Sequence, residues 1–160
     1  MWFGILSGGA AGAQAARELS RSGIFFSVPA RSEVLERTDG GGLQTYVRID
    51  GSDVFARVIR GGELAAPPQG VAVPTTMCGR PAERFEIHTP EVRAIGSYLD
   101  EEGAIRHMEP DVTPARVEVI VAFARRGGAR VRIDWSVRAD LRDRHRAQEA
   151  AFFDSIRCAP

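Results

Sequence analysis

Apolar and polar residues alternate with a period of two over two stretches in the C-terminal half. Val117, Val119, Val121 and Phe123 fall on one side of the first. After Arg126-Gly127-Gly128, Val131, Ile133, Trp135 and Val137 fall on one side of the second. Strict alternation marks half-buried strands, and the glycine pair marks the turn between them, so 117–137 is expected to be a β-hairpin. Its other face carries Arg130, Arg132, Asp134, Ser136 and Arg138 and is expected to be wet and basic. A second hairpin is expected over 46–60, where residues 46–50 and 53–60 flank Asp50-Gly51-Ser52-Asp53.

Helical signals are fewer. Thr89 suits an N-cap, Pro90 the first helical position and Glu91 the dipole, while Val92, Ile95 and Leu99 repeat at helical spacing up to Gly103. The pattern predicts a helix over 90–102 and a loop over 104–115. Residues 139–157 form a second expected helix, with Leu141, Phe152 and Ile156 inward. Residues 33–37 suit one helical turn. The proline- and glycine-rich stretch 61–82 reads as a loop with a strand near 71–73. At the N-terminal end, 2–6 is an apolar strand, Ser7–Gly12 a small-residue turn, 13–22 a helix stopped by Gly23, and 24–28 a strand ended by Pro29. Hairpins outnumber helices. The expected class is α+β, a mostly antiparallel sheet with hairpins 46–60 and 117–137 and helices 90–102 and 139–157 packed on one face. The alternative is a reduced Rossmann-like α/β domain built on the first unit.

Composition narrows the function more than the fold. A chain of 160 residues, 44 % apolar, with eight Phe and two Trp, is expected to form one domain, 1–160, and is not disordered. Twenty-one acidic residues balance 21 basic ones, so the whole chain is neither a nucleic-acid arm nor a polybasic anchor. Every basic residue is Arg; Lys and Asn are absent, as in a GC-rich genome. No lysine means no Schiff-base lysine, no P-loop lysine and no lysine general base.

The charge is unevenly placed. Eight acids face three Arg between 83 and 111, and nine Arg face four acids between 116 and 146. Such halves pair within one fold or between copies. Asp100-Glu101-Glu102 reads as the exposed end of the 90–102 helix. The Arg-rich segment lacks interleaved aromatics other than the inward Trp135, which makes nucleic acid an unlikely partner.

Candidate chemistry starts at the first turn. A dinucleotide turn needs glycines for the bend, for close approach to pyrophosphate and for helix–strand packing. Those positions fall on Ser7, Gly9 and Gly12, and Ala30-Arg31-Ser32 follows the second strand, where Arg accommodates a 2′-phosphate. Over about residues 2–60 the order of these features, with Leu35-Glu36, Gly42-Leu43 and the hairpin, resembles NADP-binding Rossmann proteins of the ketopantoate reductase type. The resemblance implies NADP as cofactor and Gly9, Gly12 and Arg31 as its contacts. The catalytic Lys and Asn of that family have no counterpart in this chain. A competing reading takes Gly4, Gly8, Gly12 and Ala16 as a smooth stripe on one continuous helix.

Other candidates are sparse. Cys78 and Cys158 form either a disulfide in an oxidising compartment or two thiols, with Arg80 placed to lower the pKa of Cys78. Glu86, His88, His107 and Glu109 flank the 90–102 segment without zinc spacing, so no metal is expected. His145 reads as a packed or boundary residue. No Gly-x-Ser-x-Gly occurs. The first sixteen residues are apolar but short for a membrane span, and Ala13-Gln14-Ala15 mimics a cleavage site without basic residues before it. A cytoplasmic location is the default expectation, export with a Cys78–Cys158 bridge the alternative. The expected function is a non-catalytic interaction or assembly subunit, oligomeric, acting on a protein partner or on itself. NADP binding by an oxidoreductase remnant is the alternative.

Overall fold

The computed structural model describes residues 15–160 except 22 and 52. Fourteen strands and one α-helix follow in chain order. They begin with β1 (Ala16–Arg21), β2 (Ile24–Pro29), β3 (Glu33–Asp39), β4 (Gly42–Asp50) and β5 (Val54–Arg60). Next come β6 (Val73–Met77), β7 (Arg80–Thr89), β8 (Val92–Ala94), β9 (Ser97–Leu99), β10 (Ile105–His107) and β11 (Asp111–Thr113). The chain closes with β12 (Arg116–Ala124), β13 (Arg130–Arg138), α1 (Arg142–Asp154) and β14 (Arg157–Cys158). A seven-stranded antiparallel sheet, ordered β3-β4-β5-β13-β12-β7-β6, forms the body. A smaller sheet, β1-β2-β14, and α1 cover one of its faces.

The α+β expectation holds, and residues 117–137 form the expected hairpin. Val117 opposes Val137, Val119 opposes Trp135, Val121 opposes Ile133 and Phe123 opposes Val131. These side chains join Ile24, Phe26 and Val28 of β2 and Phe152 of α1 in one buried cluster. The β4–β5 hairpin closes through the Asp53 N–H on the Asp50 carbonyl, 2.9 Å, with a bulge between Arg48 and Asp50. The expected 139–157 helix is α1 preceded by a short 3₁₀ turn, Ala139–Leu141, but it stops at Asp154, and Arg157 already pairs in β14.

Several expectations are corrected. The described part of the expected 13–22 helix is β1, and β1 pairs antiparallel with β2. β2 also pairs antiparallel with β14. The Rossmann-like α/β alternative therefore fails, since it needs a helix here and parallel strands on either side of it. The 2–6 strand, the turn over 7–12 and the glycine stripe lie outside the described residues, apart from Ala16 in β1. Residues 33–37 belong to β3. The strand expected at 71–73 is β6, two residues later, and β7 begins inside the expected 61–82 loop.

The 90–102 segment is not a helix and packs on no face of the sheet. It is β8 and β9, paired with β11 and β10, which lie inside the expected 104–115 loop. The i, i+3, i+7 spacing of Val92, Ile95 and Leu99 is outweighed by Gly96 at the centre of the segment and by the turn at its end. Gly103 has φ +79° and serves a hairpin tip instead of a helix C-terminus.

The outer face of the body is drier than expected. Asp134 and Ser136 are fully buried. Arg57 and Arg132 reach Asp134 at 2.7 and 2.8 Å, and Arg116 Nε donates to Ser136 Oγ at 2.8 Å. Toward β7, Ala72 of the β5–β6 connection packs on Phe85, Ile120 and Ala122.

The start of α1 is clamped to β7. Arg142 donates to both Glu86 carboxylate oxygens at 2.7 Å. That guanidinium, helped by His88 Nε2 at 2.9 Å, lowers the Glu86 carboxyl from its ordinary 4.5 to about 2. A carboxyl held down in the folded state stabilises it fully above pH 4.5. The contribution fades as pH falls from there through about 2. Both side chains are partly in water, so Glu86→Gln is expected to cost only about 0.5–1 kcal/mol at neutral pH. Urea midpoints measured from pH 7 to pH 2.5 should show the variant losing less stability than the native chain below pH 4.5. Parallel curves would contradict the clamp.

Candidate functional site

At Thr89 the chain leaves the body and does not return until Arg116. Between them lies a two-stranded arm, residues 90–113. Val92, Arg93 and Ala94 oppose Thr113, Val112 and Asp111, and Ser97, Tyr98 and Leu99 oppose His107, Arg106 and Ile105. The two ladders are joined where the Met108 N–H donates to the Gly96 carbonyl at 2.9 Å. A Cβ at Gly96 would sit 3.0 Å from Met108 Sδ, so a side chain there would push this exposed, flexible thioether aside.

Asp100 builds the tip. Its Oδ1 accepts from the Glu102 and Ala104 N–H groups at 3.1 and 2.8 Å, and its Oδ2 accepts from Arg106 Nε at 2.8 Å. The Arg106 contact first, then the Ala104 N–H, keeps the Asp100 carboxyl below its ordinary range. Gly103 follows in the left-handed region, as a three-residue hairpin loop demands. Asp100 is thus spent on the turn, while the adjacent Glu101 and Glu102 point outward as exposed acids with no ion partner among the described residues.

The arm is apolar where water meets it. Val92, Ile95, Tyr98, Leu99, Ile105, Met108 and Val112 are each between 44 and 69 % exposed. They are seven of the eleven exposed large hydrophobic residues described, gathered in 24 positions. In the outer ladder Leu99 and Ile105 share one face with Ser97 and His107, and Tyr98 and Arg106 share the other. Neither face is covered by the described residues. Among the described residues, the hydrogen bonds and ion pairs of 91–112 stay inside the arm. A lone two-stranded ribbon is marginal in water, so this one lacks the support its own body does not give.

A second feature lies on the outer face of the body over β3, β4 and β5. A trough of about 290 Å³ holds Arg37, Arg48 and Arg57 around Tyr46 and Phe55. The rings of Tyr46 and Phe55 stack at 5.0 Å, and the Arg116 guanidinium lies 4.7 Å from the Phe55 centroid. Burial lowers the Arg116 pKa, yet it stays a cation. Arg57 is committed to Asp134 and Arg48 to exposed Glu33 at 2.9 Å. Arg37 is exposed and has no ion partner among the described residues. Register creates the trough, because Arg37 opposes Gln44, Tyr46 opposes Arg57 and Arg48 opposes Phe55.

The residues expected to carry chemistry are dispersed. Gly9 and Gly12 lie outside the described residues. Arg31 is exposed in the turn between β2 and β3, and the described α-helix begins far along the chain at Arg142. Cys78 and Cys158 form a disulfide, which removes the reactive-thiol option. Glu86 and His88 sit on β7 against Arg142, whereas His107 sits in the arm beside Ser97 Oγ. No group of three metal-ligating side chains occurs among the described residues. His145 is buried at the body, its Nδ1 2.9 Å from Gln148 Oε1. No described helix is long and apolar enough to cross a membrane. The arm and the trough were missed from sequence. Their one legible signal is the acid-rich 83–111 segment set against an arginine-rich remainder.

No family model matches the chain, and no curated protein matches it.

Proposed function

We propose that this chain is a non-catalytic assembly subunit that associates with a second copy of itself through the arm 90–113. The observation that carries the reading is the arm's two uncovered apolar faces. A ribbon of two short strands, with seven large hydrophobic side chains in water, gains order and stability when a partner covers it. Such concentrated apolar exposure on a soluble surface marks an interaction site more often than an accident of composition. A second copy is the chosen occupant because the chain supplies both signs of charge, an acidic arm and an arginine-rich face. The Cys78–Cys158 bridge supports placing this assembly in an oxidising compartment, in line with the export alternative.

Amide hydrogen exchange at several protein concentrations tests the reading. Residues 92–113 are expected to gain protection as concentration rises through the micromolar range, while body strands such as β12 stay protected throughout. An arm that exchanges equally fast at every concentration would sink the proposal.

A further inference from the structure

The assembly reading leaves open where the arm goes, and the following rests on that reading. We infer that the acidic arm tip, Glu101 and Glu102, docks in the Arg37–Arg48 trough of a second copy, and that the two copies exchange arms reciprocally.

Three observations point there. The tip offers two adjacent carboxylates without a described ion partner, because Asp100 alone holds the turn together. The trough offers a guanidinium without a described ion partner, Arg37, and a second, Arg48, whose one described partner is the exposed, readily displaced Glu33. Arg37 and Arg48 lie at opposite ends of the trough. Arg37 opposes Gln44, four residues from Arg48 along β4, which at about 3.4 Å per residue sets them roughly 14 Å apart along the strand. That spacing leaves room for a hairpin tip between the two guanidiniums, with one carboxylate facing each, which one small anion does not offer.

The apolar parts match as well. Leu99 and Ile105 stand beside the acids in the tip ladder, and Leu35, Tyr46 and Phe55 floor the trough between the arginines. Each limb of the arm is about twelve residues, at most about 40 Å of strand, and that is the length available to reach a second copy. Reciprocal exchange uses each copy's arm and each copy's trough once, which closes the assembly as a two-fold dimer and leaves no open end to grow a fibre.

The test is charge reversal with mixing, read by sedimentation velocity. One variant carries Glu101→Arg and Glu102→Arg, the other Arg37→Glu and Arg48→Glu. Each alone repels at both contacts and is expected to dissociate at least about 10-fold more readily than the native chain. Mixed one to one, each variant's arm meets a complementary trough, and the dimer is expected to return. Far-ultraviolet circular dichroism melts check that each variant folds. Should one fail to fold, the neutral pair Glu101→Gln with Glu102→Gln and the single Arg37→Gln replace it, each expected to weaken the dimer severalfold. A mixture that stays monomeric, or a variant that dimerises like the native chain, would overturn the docking site. If those variants still dimerise while a chain lacking the arm does not, the trough is wrong and the arm reading stands. A native chain that is monomeric at every concentration would remove both.

Discussion

Replacing Cys78 and Cys158 together by alanine is expected to cost 2–5 kcal/mol, a large share of the stability of a domain this size. The two cysteines stand 80 residues apart in sequence. In the chain-entropy account, a loop of that length restricts the unfolded chain by about 4.5 kcal/mol at 25 °C. Both ends of the bridge sit at edge strands. Cys78 and Gly79 form the tight turn of the β6–β7 hairpin, with φ of +56° and +68°, and β6 is an edge of the large sheet. Cys158 belongs to β14, a two-residue strand that pairs only with Ile24 and Phe25 of β2 among the described residues. One covalent bond therefore ties the edge of the large sheet to the edge of the small one. Urea unfolding of the oxidised, reduced and doubly substituted chains should show a lower midpoint for the last two, and they should agree with each other. Equal midpoints in all three would mean that the sheets hold each other without the bridge.

Phe152→Ala is expected to cost a further about 3–5 kcal/mol in a separate experiment, the range for truncating a buried aromatic. Phe152 is 2 % exposed on α1. Its ring meets Phe26 of β2 edge-on at 5.9 Å and Trp135 of β13 at 5.4 Å, so one side chain joins the helix, the small sheet and the large sheet. A recess of about 180 Å³, lined in part by Val28, Ile49 and Trp135, already lies beside it, and truncation would enlarge that space. Trp135 is held by ladders on both sides, opposite Val119 and Ala56, and Phe26 by one, opposite Leu19, which limits collapse into the gap. Chemical unfolding followed by Trp fluorescence measures the loss. A cost below about 1 kcal/mol would show that α1 is held to the sheet by something other than this ring.

What was legible in the sequence was the part whose local pattern agrees with its surroundings. The 117–137 hairpin could be read from its alternating apolar face and its glycine turn, both of which agree with the register observed. α1 was legible because Phe152 needed a surface to cover, although Ile156, read as part of it, lies just beyond its end. The first described strand was not. Ala-Arg-Glu-Leu favours a helix by propensity, yet only Leu19 of β1 is buried, and β1 is a strand because β2 gives it a ladder to pair with. The 90–102 segment carried helix-like spacing by coincidence. Pairing 90–102 with 104–113 required knowing that Gly103 would close a hairpin, and a glycine after an apolar run reads equally well as a helix end.

The candidate site was hidden for a related reason. Arg37, Arg48 and Arg57 are about ten residues apart and belong to three strands. No spacing rule groups them, and only the β3–β4–β5 register does. The uneven charge along the chain was visible, but its meaning was not. In sequence, the acids over 83–111 read only as one charged half of the chain; in the structure Glu91, Asp100, Glu101, Glu102, Glu109 and Asp111 gather on the arm, while Glu83 and Glu86 stay on β7 of the body.

Sedimentation velocity of the native chain beside a chain in which residues 91–112 are replaced by a short Gly-Ser turn tests the arm most directly. The body keeps its sheets in both, since the described hydrogen bonds and ion pairs of 91–112 are internal to the arm. The native chain is expected to sediment as a dimer that dissociates on dilution, and the shortened chain as a monomer of unchanged melting temperature at every concentration. A shortened chain that dimerises as strongly as the native one, or a native chain that remains monomeric when concentrated, would contradict self-association through the arm.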